Sequence, residues 1–209
     1  MNEVVNEEHV ECDEQDEYDE YERFSIVGLL YEIIQTAVSM FIIVLVLRVF
    51  LINAYIPSGS MEPQISVGDK LIGSKISYWC KDPERFDVVM FEYPLDHSLL
   101  YIKRVIGLPG DSIDITDGKI YVNGSTKPLD EDYLAEDWVV LNDDIHYDVP
   151  ADCYLVLGDN RNFSEDARYW QDNAIEEGLD DGRDYTFVKR DEIKAKAILR
   201  YSPIPGIIE

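Results

Sequence analysis

A mainly β domain carried behind one membrane-spanning helix is the fold this sequence predicts, and three observations predict it. Phe24 to Ile52 form one long apolar block. After Tyr55 the chain breaks into short runs rich in Val, Ile, Tyr and Phe, punctuated by Gly, Pro, Asn and Asp. Charge is partitioned in step with these two regions. The net is −10 over residues 1–23, zero over 24–54 and −15 over 55–209, within −25 for the whole chain of 209 residues.

Residues 1–23 hold eleven acids and one base, Arg23. They show no apolar periodicity and too little hydrophobic surface to offset the entropy of ordering, which predicts a disordered acidic tail. The tail lacks the positive n-region of a secretory signal, and the apolar block starts too late for one. Within residues 24–54, Ile33 to Leu47 carries no charge. As a helix, Phe24–Ile52 spans roughly 43 Å, enough for a hydrocarbon core of about 30 Å. Glu32 and Arg48 sit near its ends, where they can snorkel, and Tyr31 and Tyr55 suit the interfacial belts. The block is apolar all round, and no comparable apolar partner exists elsewhere in the chain, which favours a lipid bilayer over a protein core. A single-pass span is expected. The nearest bases, Arg23 on one side and Lys70 and Lys75 on the other, leave its orientation undecided.

Residues 55–209 predict strands at KLIGSKI, FDVVMFEY, YIKRVIGL, DSIDIT, KIYVNG, CYLVLGD and AKAILRY, with a hairpin across Thr116-Asp117-Gly118-Lys119. One short helix is expected around Arg190–Ala195. About 155 residues suffice for a closed or folded-over sheet. The acidic composition excludes nucleic acid as a partner, since that needs a cationic footprint. Cys80 and Cys153 could pair in an oxidising space or stay as free thiols. With no CxxC and no His/Cys cluster, neither a metal nor another cofactor is expected. His9, His97 and His146 stand isolated, so a Ser-His-Asp triad has no support.

Three stretches can carry chemistry. Tyr55-Ile56-Pro57-Ser58-Gly59-Ser60-Met61-Glu62-Pro63 places serines just after the apolar block. Tyr101-Ile102-Lys103-Arg104-Val105-Ile106-Gly107-Leu108-Pro109-Gly110-Asp111 places a lysine within an apolar strand. Lys103 and Arg104 point to opposite faces, so one of them faces the side covered by Tyr101 and Val105. A lysine there loses hydration, its pKa falls, and as a neutral amine it can act as a general base. Gly158-Asp159-Asn160-Arg161-Asn162-Phe163-Ser164-Glu165-Asp166-Ala167-Arg168 packs polar residues after a buried strand, either as a plain turn or as a support for catalytic groups.

Together and in this order, SGSMEP, KRVIGLPGD and the box GDNR-x-x-S-x-D-x-R resemble type I signal peptidase, a membrane-bound serine protease with a Ser/Lys dyad. The resemblance runs from the apolar block to about Tyr201. It implies a folded β-sheet catalytic domain of the kind shared with self-cleaving repressors of the LexA type. It makes Ser60 the nucleophile, Lys103 the general base, and Ser58 with the backbone of Ser60 the oxyanion hole. Ser164 would then bond the lysine, Asp166 and Arg168 would form a supporting ion pair, and Asp159 and Arg161 would support the loop. Ile56, Pro57, Met61, Tyr101 and Ile102 would bind the substrate, whose small residues precede the cut as in Ala-x-Ala. The partners implied are signal peptides of secreted preproteins and the bilayer, with the enzyme acting as a monomer. The location implied is the cytoplasmic membrane, tail inside and catalytic domain outside. Phe163 and Ala167 depart from the family's usual Asn and Ser. Residues 171–186, with six acids and only Arg183 as base, read as an inserted solvated loop. A LexA-type repressor would need a DNA-binding domain where this chain has an apolar block. A non-enzymatic membrane-anchored β module is the remaining alternative, and loss of cleavage on substituting Ser60 or Lys103 separates the two.

Overall fold

A computed structural model describes residues 10–179 and 184–208. It divides into two units, residues 1–49 and 50–209. The first is built on helix α1, Val10–Phe50. Its stretch Ile26–Phe50 has a mean hydropathy of 2.3 and is long and apolar enough to cross a membrane, and residues 26–49 are exposed. A helix without a polar face suits an apolar surround.

Two boundaries differ from the sequence expectation. The acidic stretch from Val10 to Arg23, expected to be disordered, is helical and continuous with the span. Elongating an existing helix costs far less than nucleating one. Residues 1–9 of that tail lie outside the described residues. The expected span over 24–54 also stops early, because Leu51–Tyr55 is strand β1 rather than helix. β1 runs antiparallel to β2 (Lys70–Ser74) in the register Leu51↔Ser74 to Tyr55↔Lys70. The Lys75 N–H donates to the Phe50 carbonyl, which satisfies one acceptor at the helix end.

The second unit is mainly β, as predicted. Its strands continue as β3 (Val88–Glu92), β4 (Leu100–Gly107), β5 (Ser112–Thr116), β6 (Lys119–Val122), β7 (Ile145–Asp148), β8 (Cys153–Leu157), β9 (Val188–Lys189), β10 (Ile193–Ser202) and β11 (Gly206–Ile207). The larger sheet has the order β1-β2-β10-β3-β4-β8-β9, with β11 on β10; β6-β5-β7 form a smaller one. The predicted hairpin is present, with Thr116 opposite Lys119 and positive φ at both Asp117 and Gly118. That pair of left-handed residues makes a turn whose twist matches the strands, and the sequence Asp-Gly suits it. Cys80 and Cys153 are both free thiols.

Burial on both faces of the larger sheet decides where the site lies. Along β3, Val89 and Phe91 enter one hydrophobic cluster while Val88 and Met90 enter another. A strand covered on both sides reads as a continuous apolar run, which is why Val88–Phe91 does not alternate. The neighbouring β4 pairs Val88 with Arg104 and Val89 with Lys103. Both cations are therefore buried, one on each face, whereas the sequence demanded burial of only one.

The expected helix around Arg190–Ala195 is a single 3-10 turn, Arg190–Glu192, before β10 begins at Ile193. The helix of this region lies earlier: α2, Ala167–Glu176. Its N-cap is Asp166, whose side chain accepts from the Arg168 N–H. Of the expected loop over 171–186, the first part to Glu176 is helical, and residues 180–183 lie outside the described residues. Ala174 and Tyr185 are buried, and the Tyr185 hydroxyl donates to the Leu179 carbonyl. An apolar stripe that includes Trp170 and Ala174 holds this acidic segment to the sheet.

Candidate active site

The first motif is held by backbone bonds. The Ile56 N–H donates to the Asp69 carbonyl, and the Ile56 carbonyl accepts from the Gly68 N–H. Beyond it the chain turns tightly, with the Ile65 N–H donating to the Met61 carbonyl. Ser60 is 7% exposed, and the Ser58 Oγ lies 3.5 Å from its Oγ. Met61, expected to touch substrate, is fully buried in the cluster with Ile65, Leu71 and Met90. It follows Ser60 into the core and anchors the serine turn from below, so its predicted role is corrected.

A cleft of about 350 Å³ collects the other candidates. Ser58, Ser60 and Lys103 line it together with Ile56, Pro57, Tyr101 and Ile102. Lys103 is 3% exposed, and its pKa is lowered to about 8. Burial is the main cause; the carboxylates of Asp166 and Glu165 act in the opposite direction. Asp166 is already committed to Arg168, at 2.8 Å, and its own pKa stays low despite burial because of that guanidinium and the Gly158 N–H. The predicted ion pair Asp166–Arg168 is therefore present.

The third motif approaches Ser60 directly. The Asn160 N–H donates to the Ser60 carbonyl at 3.0 Å, and the Asn160 Nδ2 donates to the Gly59 carbonyl. Gly158 makes this approach possible. A Cβ there would fall 2.1 Å from the Ser164 Oγ and 2.5 Å from the Ser60 carbonyl oxygen, so no side chain fits. Ser164 itself is buried, and its hydroxyl has no hydrogen-bond partner among the described residues. The expected bond from Ser164 to Lys103 is therefore not made; the hydroxyl abuts the Gly158 backbone instead.

Asp159 and Arg161, expected to support the loop, each bind a partner the sequence reading missed. Asp159 accepts two bonds from Arg104, at 2.8 and 2.7 Å. Arg104 also donates to the Gln64 side chain and the Phe86 carbonyl, and it stacks over the Tyr133 ring. Arg161 pairs with Glu131 at 2.5 Å and donates to the Gly158 carbonyl. The guanidiniums of Arg161 and Arg168 both lie over the buried Trp138 ring. One signal could have found Arg104: a cation in a strand paired with an unbroken apolar run has no solvent face. No local pattern marks Glu131, Tyr133 or Trp138, which arrive from a connection distant in sequence.

The chemistry available here is that of a hydroxyl and an amine with little access to water, beside an apolar groove. Comparison with known proteins gives the class first: residues 30–202, most of the chain, match the family model described as signal peptidase, peptidase S26. A probable signal peptidase I-2 of Synechocystis sp. is 40% identical over 184 residues, covering 84% of this chain and 75% of that protein. A signal peptidase I of Leptolyngbya laminosa is 36% identical over 188 residues, covering 84% and 81%. With that breadth of match, the chain belongs to the signal peptidase family, peptidase S26.

Proposed function

We propose that this protein removes signal peptides from secreted preproteins as a membrane-bound serine endopeptidase, with Ser60 as nucleophile and Lys103 as general base. The observation that carries this is the burial of Lys103 in the cleft that Ser60 lines, which brings its pKa down to about 8. An amine in that range is neutral often enough near pH 8 to accept a proton.

The neutral Lys103 Nζ takes the Ser60 hydroxyl proton as Oγ bonds to the scissile carbonyl carbon. The oxyanion that develops accepts from the Ser60 backbone N–H and the Ser58 hydroxyl, each donor lowering the barrier by about 2.7–4 kcal/mol. Collapse breaks the C–N bond, and the lysine ammonium returns its proton to the departing amine. Water, losing a proton to Lys103, then attacks the acyl ester. The C–O bond breaks, Ser60 regains its proton, and the signal peptide leaves as a carboxylate. Asp159, Arg161, Asp166 and Arg168 hold the loop that fixes the serine turn.

The substrate has a place to pair. Among the described residues, β8 pairs with β4 only from Arg104 onward, which leaves Leu100–Lys103 with one open edge. An extended peptide can add there as a strand. Ile56, Pro57, Tyr101 and Ile102 then face its side chains and admit small ones. The reading puts residues 1–23 in the cytoplasm and the β domain outside the cytoplasmic membrane. One chain supplies every wall of the cleft, so a monomer suffices.

The test uses full-length protein in detergent with a preprotein ending its signal in Ala-x-Ala. Mapping the product's N-terminus should place the cut directly after the second Ala. Changing that Ala to Phe should lower kcat/KM at least about 100-fold, because the apolar walls cannot accommodate the ring. Equal cleavage of both substrates would refute the small-pocket reading.

A further inference from the structure

Phe163 is the one aromatic residue of the third motif, and its side chain is left open, 76% exposed. It lines the cleft that Ser60 and Lys103 also line. The positions on either side of it are tightly held. The Asn162 Oδ1 accepts from the Val139 and Val140 N–H groups, at 2.9 and 3.3 Å, and the Asn162 Nδ2 donates to the Asp137 carbonyl. Ser164 is buried, and the Phe163 N–H donates to the Asn160 carbonyl at 3.1 Å. The backbone here is fixed at both flanks, so the exposed ring reflects where Phe163 points rather than a loose loop.

The ring stands at the dyad end of the cleft. Asn160, which accepts from Phe163, itself donates to the Ser60 carbonyl. The next residue, Ser164, crowds the same point beside Gly158 as that carbonyl does. A substrate residue within reach of Phe163 is therefore close to the cut. In an extended peptide, successive side chains point to opposite sides. With the two small residues of Ala-x-Ala turned to Ile56, Pro57, Tyr101 and Ile102, x turns outward to the mouth of the cleft. An open ring on the rim is what an outward side chain meets there. Glu165 is exposed and lines the same cleft, so a carboxylate nearby disfavours an acid at x. The rim suits an aliphatic or aromatic side chain, which loses apolar surface to the ring.

We infer that Phe163 is a specificity-determining residue, which contacts the side chain x of Ala-x-Ala and favours large apolar residues there. The inference deepens the reading of the cleft as a signal-peptide site and rests on it. Its effect is a preference at a position that the small pockets leave free.

The test uses the full-length protein in detergent with soluble peptides that differ only at x, Leu against Ser. Wild type should cut the Leu peptide with a kcat/KM roughly fivefold higher, since a half-open contact discriminates less than an enclosed pocket. Phe163→Asn should bring the ratio of the two values to about 1, and Phe163→Tyr, which keeps the ring, should preserve it. The ratio cancels any general loss of activity from a disturbed loop, so a merely structural role would not move it. Equal cleavage of the two peptides by wild type overturns the inference, and so does a preference for Leu that persists in Phe163→Asn. A second peptide pair carries Leu or Ser at the first residue after the cut. A preference there that Phe163→Asn removes, with none at x, overturns the inference too, because the ring then reads the mature chain. Cleavage that survives Ser60→Ala overturns the reading of the cleft, and this inference with it.

Discussion

Replacing Ser60 by Ala, or Lys103 by Met, should each lower kcat for a signal-peptide substrate by roughly 10⁴–10⁶-fold. The fold should survive both changes. Ser60 loses one hydroxyl, while its carbonyl still accepts from Asn160. Methionine fills the lysine's volume, and Asp166 keeps Arg168 as its partner, so no charge is stranded. Removing a desolvated amine should leave the melting temperature unchanged or slightly raised. The double variant should be no slower than either single one, because the two groups act as one unit. Cleavage assays in detergent beside thermal melts check all of this. Full activity in either single variant would mean that the dyad is wrongly assigned.

Asp159→Ala should act in the opposite way, on the fold first. It leaves the Arg104 guanidinium buried without its carboxylate, and breaking such a pair costs about 3–5 kcal/mol. For a domain of this size that corresponds to a fall in melting temperature of roughly 6–20 °C. Activity should fall too, since Asp159 precedes the Asn160 that holds the Ser60 carbonyl. Replacing Arg104 and Asp159 together by leucines should recover part of the lost stability, because an apolar pair needs no compensation for desolvation. A melting temperature within about 2 °C of the parent for Asp159→Ala would show that the pair is not what pins this loop.

The contrast between these two predictions reflects what was legible in the sequence. The strand marked one of Lys103 and Arg104 as buried, because an apolar run leaves a cation nowhere polar to point, and the resemblance of the three motifs singled out Lys103. Ser60 could be recognised only with its two companion motifs, since a serine in a turn is unremarkable alone. The β strands were legible from their branched and aromatic runs, and the hairpin from Asp117-Gly118. What stayed hidden depends on long-range packing. Arg104 finds Asp159 fifty-five residues away, and Arg161 finds Glu131 across another connection. Met61 looked like a groove residue by its place in the motif, yet the turn sends it into the core. The end of the span was misread because Leu51 and Ile52 suit a helix and a strand equally, and pairing with β2 decides between them. α2 was overlooked because its ten residues carry mostly polar side chains, with the apolar ones confined to one stripe.

The central claim, that Lys103 works as a neutral base on Ser60, is tested most directly by the pH dependence of kcat/KM for the full-length wild type. Burial lowers the lysine from its ordinary 10.5 to about 8. Below that value Lys103 holds a proton and cannot take the one on Ser60; above it the amine is free. The rate should therefore climb about tenfold per pH unit below 8 and level off above it, reporting one ionisation of the free enzyme. A rate that is flat from pH 5 to 9, or one that falls as pH rises through 8, would contradict the account.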